Sequence, residues 1–268
     1  MAKGVYACVN GVSRNVKQIP LCVNGVSRNT KEGYACVDGV SRQFFSSGYT
    51  LSDLAVGDSV FMDFSGLGSY NNNEFMIVHK GLPSTAYDSS CDGIWVMAKY
   101  MEQLPTRWST TSSSVSYGGS SIHQYLNNEV LSKFDSTMQN IIKEVTIPSR
   151  LCTVSTKLFL LSYDEVVGKQ PYDDNLIEGA ILDYFNGASA EDRKCLPSSS
   201  DTGKYGKYWW LRTQYPLGTS DAYCIDSAGN YTWAKKTGGT TLSNNIQPRF
   251  AMILPHDTRL DENFNIIA

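Results

Sequence analysis

The sequence has no long apolar run. Its apolar runs, such as 158–161 and 250–254, reach only four and five residues, against the roughly 20 that a helix needs to cross a bilayer. The reading is therefore not a membrane protein. Asn10, Arg14, Asn15 and Lys17 break the stretch where a secretory signal would need continuous apolar residues, so the expected address is the cytoplasm, without a signal peptide. Histidine is equally scarce: only His79, His123 and His256 occur, with no His-Glu-x-x-His, no Gly-x-Ser-x-Gly and no phosphate-cradling glycine loop. Charge of one sign is lacking too. Twenty-three basic and 26 acidic residues leave a net charge of −3, which gives nucleic acid no attracting field. None of the seven cysteines, at 8, 22, 36, 91, 152, 195 and 224, forms a Cys-x-x-Cys pair, so they read as free, mostly buried thiols. Asp173, Asp174, Asp183, Glu191 and Asp192 cluster without the spacing of a calcium loop and read as helix caps and solvated turns. The expectation is no catalytic residue, no metal and no cofactor.

What is present is a globular composition, 41% apolar with 12% aromatic residues in 268, enough to bury a core. The first 42 residues repeat one phrase at a period of 14: Cys8-Val-Asn-Gly-Val-Ser-Arg14, Cys22-Val-Asn-Gly-Val-Ser-Arg28 and Cys36-Val-Asp-Gly-Val-Ser-Arg42. Asn-Gly or Asp-Gly between valines is the strongest short hairpin signal, because a type I′ turn needs two residues at positive φ. Each repeat is thus predicted to be a hairpin with Val9 facing Val12, Cys8 facing Ser13 and Ala7 facing Arg14. Such hairpins bury little and lean on neighbours. Residues 1–45 read either as an oligomerisation or docking module or as a β-meander packed on its own domain.

A second domain is expected over 46–268. Residues 59–64, 74–79 and 93–98 read as strands. Ile122, Tyr125, Leu126, Val130 and Phe134 share one face of a helix starting near Ser120 or Ser121. Ser136-Thr-Met-Gln139 is a capping-box pattern for a second helix, ended by Pro148. A buried strand at 157–161, a helical turn capped by Ser162 with Glu165, and an amphipathic helix over 175–185 follow. From Tyr208 the pattern changes to short strands and loops. In Trp209-Trp-Leu-Arg212, both tryptophans read as aromatic core and Arg212 as paired within the domain.

Trp209-Trp-Leu-Arg212, Gly229-Asn-Tyr and Gln247-Pro-Arg-Phe-Ala-Met-Ile-Leu254, preceded in order by Leu54-Ala-Val-Gly-Asp58, Ile122 to Asn127 and Leu158-Phe-Leu-Leu-Ser162, resemble a domain-of-unknown-function family with a C-type-lectin-like fold. The resemblance covers about residues 50–255. It implies an α+β fold, with a C-type-lectin-like domain after a small β-hairpin repeat module. The family is frequent in phages and prophages of gut bacteria, and related domains are the variable proteins of diversity-generating retroelements. The N-terminal repeats resemble those on phage tail and fibre proteins. By that resemblance the chain is a non-enzymatic receptor binder, made in the bacterial cytoplasm and associated with the virion tail. Its implied partner is a protein or glycan on a bacterial surface, and residues 1–45 would assemble a homo-oligomer, a trimer among the options, or dock to another virion protein. The alternatives are an intracellular bacterial domain with structural or regulatory binding, and a relative of sulfatase-activating enzymes. The latter hold copper with a close cysteine pair, whereas Cys195 and Cys224 are 29 residues apart. The Glu-Pro-Asn or Gln-Pro-Asp segment of calcium-dependent lectins is missing too.

The candidate binding surface is 213–247, where 16 of 35 residues are Ser, Thr, Asn or Gly and four are charged. Tyrosine and tryptophan interspersed with small polar residues make up antibody paratopes, although the same small residues dominate any turn. The candidate ligand-binding residues are Tyr215, Thr219, Ser220, Asp221, Tyr223, Asp226, Asn230, Tyr231, Trp233 and Asn244. Diversified relatives vary at asparagine codons, whose first two bases change. Tyr215, Thr219, Ser220, Asp221, Tyr223, Asp226 and Tyr231 are compatible products, while Trp233, Lys235 and Lys236 are not.

Overall fold

The structure is a computed structural model that describes residues 49–64, 73–100, 107–113, 115–150, 152–169, 178–196, 207–217, 220–237 and 246–267, together with the backbone of six strands between residues 5 and 46. The chain divides into two compact units, Met1–Tyr49 and Thr50–Ala268, a boundary four residues beyond the one read from sequence.

In the first unit Val5–Val9 pairs with Val12–Val16, Pro20–Val23 with Val26–Asn29 and Glu32–Val37 with Val40–Ser46. Val9 is opposite Val12, Cys8 opposite Ser13 and Ala7 opposite Arg14, and the later repeats keep this register around Val23 and Val26, and around Val37 and Val40. Each hairpin is a separate two-stranded sheet. The Asn-Gly and Asp-Gly turns lie outside the described residues.

The second unit mixes helix and sheet, with sheet predominating. Its larger sheet runs Phe159–Leu160, Phe250–Leu254, Ile94–Ala98, Glu74–Lys80, Ser59–Phe61, each pair antiparallel. Every residue of Ile94–Ala98 and Phe250–Leu254 is buried, so these strands read as continuous apolar runs rather than alternating ones. Phe64, Phe75, Phe134 and Phe250 form one ring cluster. The expected first helix is a composite: an α-helical turn Ser121–Tyr125, a π turn Leu126–Val130 and a 3-10 turn Leu131–Lys133. Ile122, Leu126, Val130 and Phe134 face inward, while Tyr125 is half-buried. At the π turn the Asn127 side chain donates to His123 O and Leu158 O and accepts from the N–H groups of Lys157 and Leu158. That tie fastens the helix to the turn before Phe159. Among the described residues no helix is long and apolar enough to cross a membrane.

Three local expectations are corrected. The second helix, Ser136–Ile141, is capped by Asp135, whose Oδ1 accepts from Met138 N–H at 2.7 Å; a carboxylate one residue earlier replaces the serine. Pro148 does not end that helix but lies in the Val145–Ser149 strand, where a two-stranded hairpin tolerates a missing donor. The helix over 175–185 is absent from its described part, which holds only a 3-10 turn, Asp183–Phe185. The reason is competition for N–H groups. Glu178 N–H goes to Asp164 Oδ2, Ala180 N–H to the Tyr87 hydroxyl and Leu182 N–H to Glu165 O, which takes three alternate donors away from a helical ladder. Gly179 is part of this arrangement, with φ +147° and a Cβ position 2.2 Å from the Tyr87 hydroxyl. Gly179→Ala is expected to lower stability by about 2 kcal/mol or more, since backbone strain of this kind alone costs about 1–3 kcal/mol. Urea denaturation of the full chain measures it, and a change below about 0.5 kcal/mol contradicts the packing described.

Candidate functional site

The second sheet runs Tyr231–Lys235, Asp221–Ile225, Trp209–Gln214, Gln247–Pro248, the last pair parallel. Its Trp209–Gln214 strand is buried along its whole length. Trp209 and Trp210 are core, the Trp209 ring lying under the Arg249 guanidinium at 5.2 Å.

Arg212 is fully buried, and all five of its N–H groups are used. Nε donates to Pro148 O, Nη1 to Leu160 O and Glu165 Oε2, Nη2 to Glu165 Oε1 and Glu178 O, at 2.6–3.1 Å. Burial by itself would lower the Arg212 pKa, but the Glu165 charge and the bonds to it outweigh that and hold it above its ordinary value. Glu165 is also the capping-box residue of Tyr163–Val166: its Oε2 accepts from Ser162 N–H at 2.7 Å and its Oε1 from the Tyr87 hydroxyl at 2.7 Å. Glu178 accepts from Arg150 N–H and from the Thr213 hydroxyl. Its burial raises the carboxyl above the usual carboxylate range, against the opposing pull of Arg212. This looks like a reaction centre in composition, yet its acceptors and donors are spent on one another and Glu165, Glu178, Arg212 and Thr213 are sealed from solvent. A catalytic group must reach a substrate proton or oxygen. The cluster is a scaffold.

The surface that meets solvent lies at the edge of the same sheet. Tyr231 and Trp233 are 45% and 49% exposed, and Leu217, in the turn before the hairpin, is 71% exposed. In the register Tyr223 faces Trp233, Ile225 faces Tyr231 and Asp221 faces Lys235, which puts Tyr231, Trp233 and Lys235 on one side of their strand. Tyr215 stacks on Trp233 with centroids 4.7 Å apart and planes 8° from parallel. Tyr163 sits behind, 4.7 Å from the Tyr223 ring and 5.2 Å from the Tyr231 ring. Burial, with Tyr231 next, holds the Tyr163 hydroxyl above its ordinary pKa.

The candidate residues separate accordingly. Tyr215, Asn230, Tyr231 and Trp233 share the accessible side of the hairpin or its tip, and half-buried Asp221 and Ser220 take the Lys235 ammonium at 3.9 and 3.2 Å. Tyr223 is corrected: at 1% exposure it is a core residue beneath the face and no contact residue. Asp226 is a turn-former, with Oδ1 accepting from Ala228 and Asn230 N–H, each at 2.8 Å. Thr219 and Asn244 lie outside the described residues. The turn is seated by Gly229, whose φ is +84° and whose Cβ position is 1.7 Å from Ala190 O, so only glycine fits. Sequence reading missed Tyr163, which supports the face from another element; only its place after the Ser162 cap marked it.

A family model described as "Domain of unknown function (DUF6273)" matches residues 92–256. The chain belongs to the DUF6273 family. No curated protein and no solved structure matches it. The DUF6273 region contains Arg212, Glu165 and Glu178 as well as the whole aromatic edge, and it lies inside the second unit.

Next to the exposed strand the Lys236 side chain turns inward, donating to Gln214 Oε1 at 2.7 Å over the Trp108 ring at 4.9 Å. Burial pulls its pKa down to about 8, against the opposing effect of Asp221. The folded chain gives up this proton near pH 8, whereas an unfolded lysine holds it to about 10.4. Between these values the unfolded state binds more protons, so stability rises with pH. Wild-type stability relative to Lys236→Met is expected to grow by about 1 kcal/mol per pH unit between pH 8 and 10. Urea midpoints of both proteins across that range check it, and a pH-independent difference contradicts it.

Proposed function

We propose that this DUF6273 protein is a non-enzymatic ligand-binding protein with a C-type-lectin-like domain, which binds a protein or glycan receptor on a bacterial surface through the face of Tyr215, Tyr231 and Trp233. The observation that carries this reading is the stacked Tyr215–Trp233 pair, half-open to solvent and backed by a buried tyrosine layer. Large aromatic area left in water is disfavoured unless it is used, and stiff aromatics with few rotamers are the anchors that carry most interface energy. Around them lie small polar groups and one ion pair, a mixture suited to recognition. The start of the unit is bonded to its end, Leu51 N–H to Thr258 O and Ser52 N–H to His256 O, which is compatible with a lectin-like arrangement. The phage or prophage setting rests on the sequence resemblance and on the hairpin repeats of residues 1–45, which serve as the oligomerisation or docking element. A reverse transcriptase gene beside a template repeat of the 213–247 region would extend the reading to a diversified face.

The test is direct. Fluorescently labelled full chain is incubated with intact cells of a panel of gut bacteria. The wild type should decorate a subset, and Tyr231→Ala with Trp233→Ala should abolish that binding, each truncation weakening affinity by about 2 kcal/mol or more. Stability should fall by only about 1 kcal/mol, whereas Tyr223→Ser should cost about 3 kcal/mol or more as a core truncation. Undiminished decoration by the double variant, or its unfolding as readily as Tyr223→Ser, overturns the face assignment.

A further inference from the structure

The Tyr231–Lys235 strand is the outer strand of its sheet, and its hydrogen-bond phase is fixed at both ends. Asp226 N–H donates to Asn230 O at 2.8 Å and Lys236 N–H donates to Ser220 O at 2.9 Å. In an antiparallel ladder the bonded pairs alternate, so the inward bonds belong to Thr232 with Cys224 and to Ala234 with Ala222. The N–H and C=O groups of Tyr231, Trp233 and Lys235 therefore point away from the sheet. The bond from Tyr215 N–H to Asp221 O, at 3.1 Å on the other side of the neighbouring strand, agrees with this phase. Among the described residues no backbone bond takes up the outward groups. The usual protections of an edge are thin here. The strand has no proline and no bulge, and its one charge is Lys235.

The geometry points to this edge as a strand-addition site for an extended segment of a protein partner. The inference rests on the binding-face reading above and deepens it: main-chain bonds form along the edge while alternate side chains of the segment lie against Tyr231 and Trp233. A second copy of the chain is the competing occupant. Five residues fall far short of the roughly 20–30 residues a side of a stable interface, whereas strand addition draws affinity from a few main-chain bonds and specificity from alternate side chains. Charge sets the chemistry of the segment. The Lys235 side chain is 53% exposed and that of Asp221 only 16%, so the face offers a cation. The matching segment carries an acidic residue opposite Lys235 and apolar or aromatic residues at the alternate positions facing Trp233 and Tyr231.

The test selects random linear peptides of about ten residues, enough to span the strand, on the full chain and follows backbone amide exchange with the enriched peptide bound. The expected peptides alternate apolar residues and include an acidic one. Their binding should slow exchange at the Tyr231, Trp233 and Lys235 amides about tenfold or more. N-methylation of the peptide amides that face the edge should weaken binding about 30-fold. Enrichment of no peptide, or an N-methylated peptide that binds equally well, overturns the inference. So does protection of these amides on concentration of the chain alone, which would identify a second copy. A peptide that perturbs the Trp233 indole and leaves the three amides unprotected overturns strand addition alone and leaves the aromatic face standing.

Discussion

The fork of Arg212 on Glu165 is the interaction on which the second unit depends. A guanidinium has five donors in a fixed plane and a carboxylate about four acceptor sites, and here both sets are filled without water. Nη1 and Nη2 each meet one oxygen of Glu165, at 2.6 and 2.7 Å, and the remaining donors take carbonyls from three separate segments, at Pro148, Leu160 and Glu178. One side chain thereby fixes a sheet strand, a hairpin, a short buried strand and an irregular stretch at once. Such a pair need not stabilise more than well-packed apolar residues would, but breaking it leaves uncompensated buried charge.

This constraint reaches the surface in a few steps. Glu165 closes the capping box with Ser162 and so sets the helical turn that carries Tyr163. Tyr163 N–H donates to the hydroxyl of Thr213, the residue after Arg212, and its ring supports both Tyr223 and Tyr231. The exposed aromatic edge is held by elements that the buried charges lock together. That stiffness favours the binding role proposed above, because less conformational freedom would be lost when a ligand binds.

Local grammar was legible wherever the signal was local. The Val-Asn-Gly-Val phrase gave the hairpin register, the Ser162 and Glu165 pair gave a cap, and the four-residue spacing of Ile122, Leu126, Val130 and Phe134 gave the buried stripe even though the helix changes winding there. The failures came from distant partners. The apolar spacing in 175–185 suits a helix, but its backbone donors at 178, 180 and 182 are taken by Asp164, Tyr87 and Glu165. Tyr223 and Tyr231 look alike in composition and lie on one face of the sheet; the inner strand buries the first under neighbouring rings, and the outer strand leaves the second 45% exposed. Glu165 reads from sequence only as a cap, and its second role needs Arg212, 47 residues away.

The most direct measurement of this account is the unfolding free energy of Arg212→Lys in the full chain by urea denaturation. Lysine keeps the charge and loses the planar fork, so it cannot meet both oxygens of Glu165 and three carbonyls together. The account predicts a loss of about 3 kcal/mol or more, the scale of a broken buried pair, with a matching loss of order at Tyr163 and Tyr231. A variant within about 1 kcal/mol of wild type, with those rings unmoved, would contradict it.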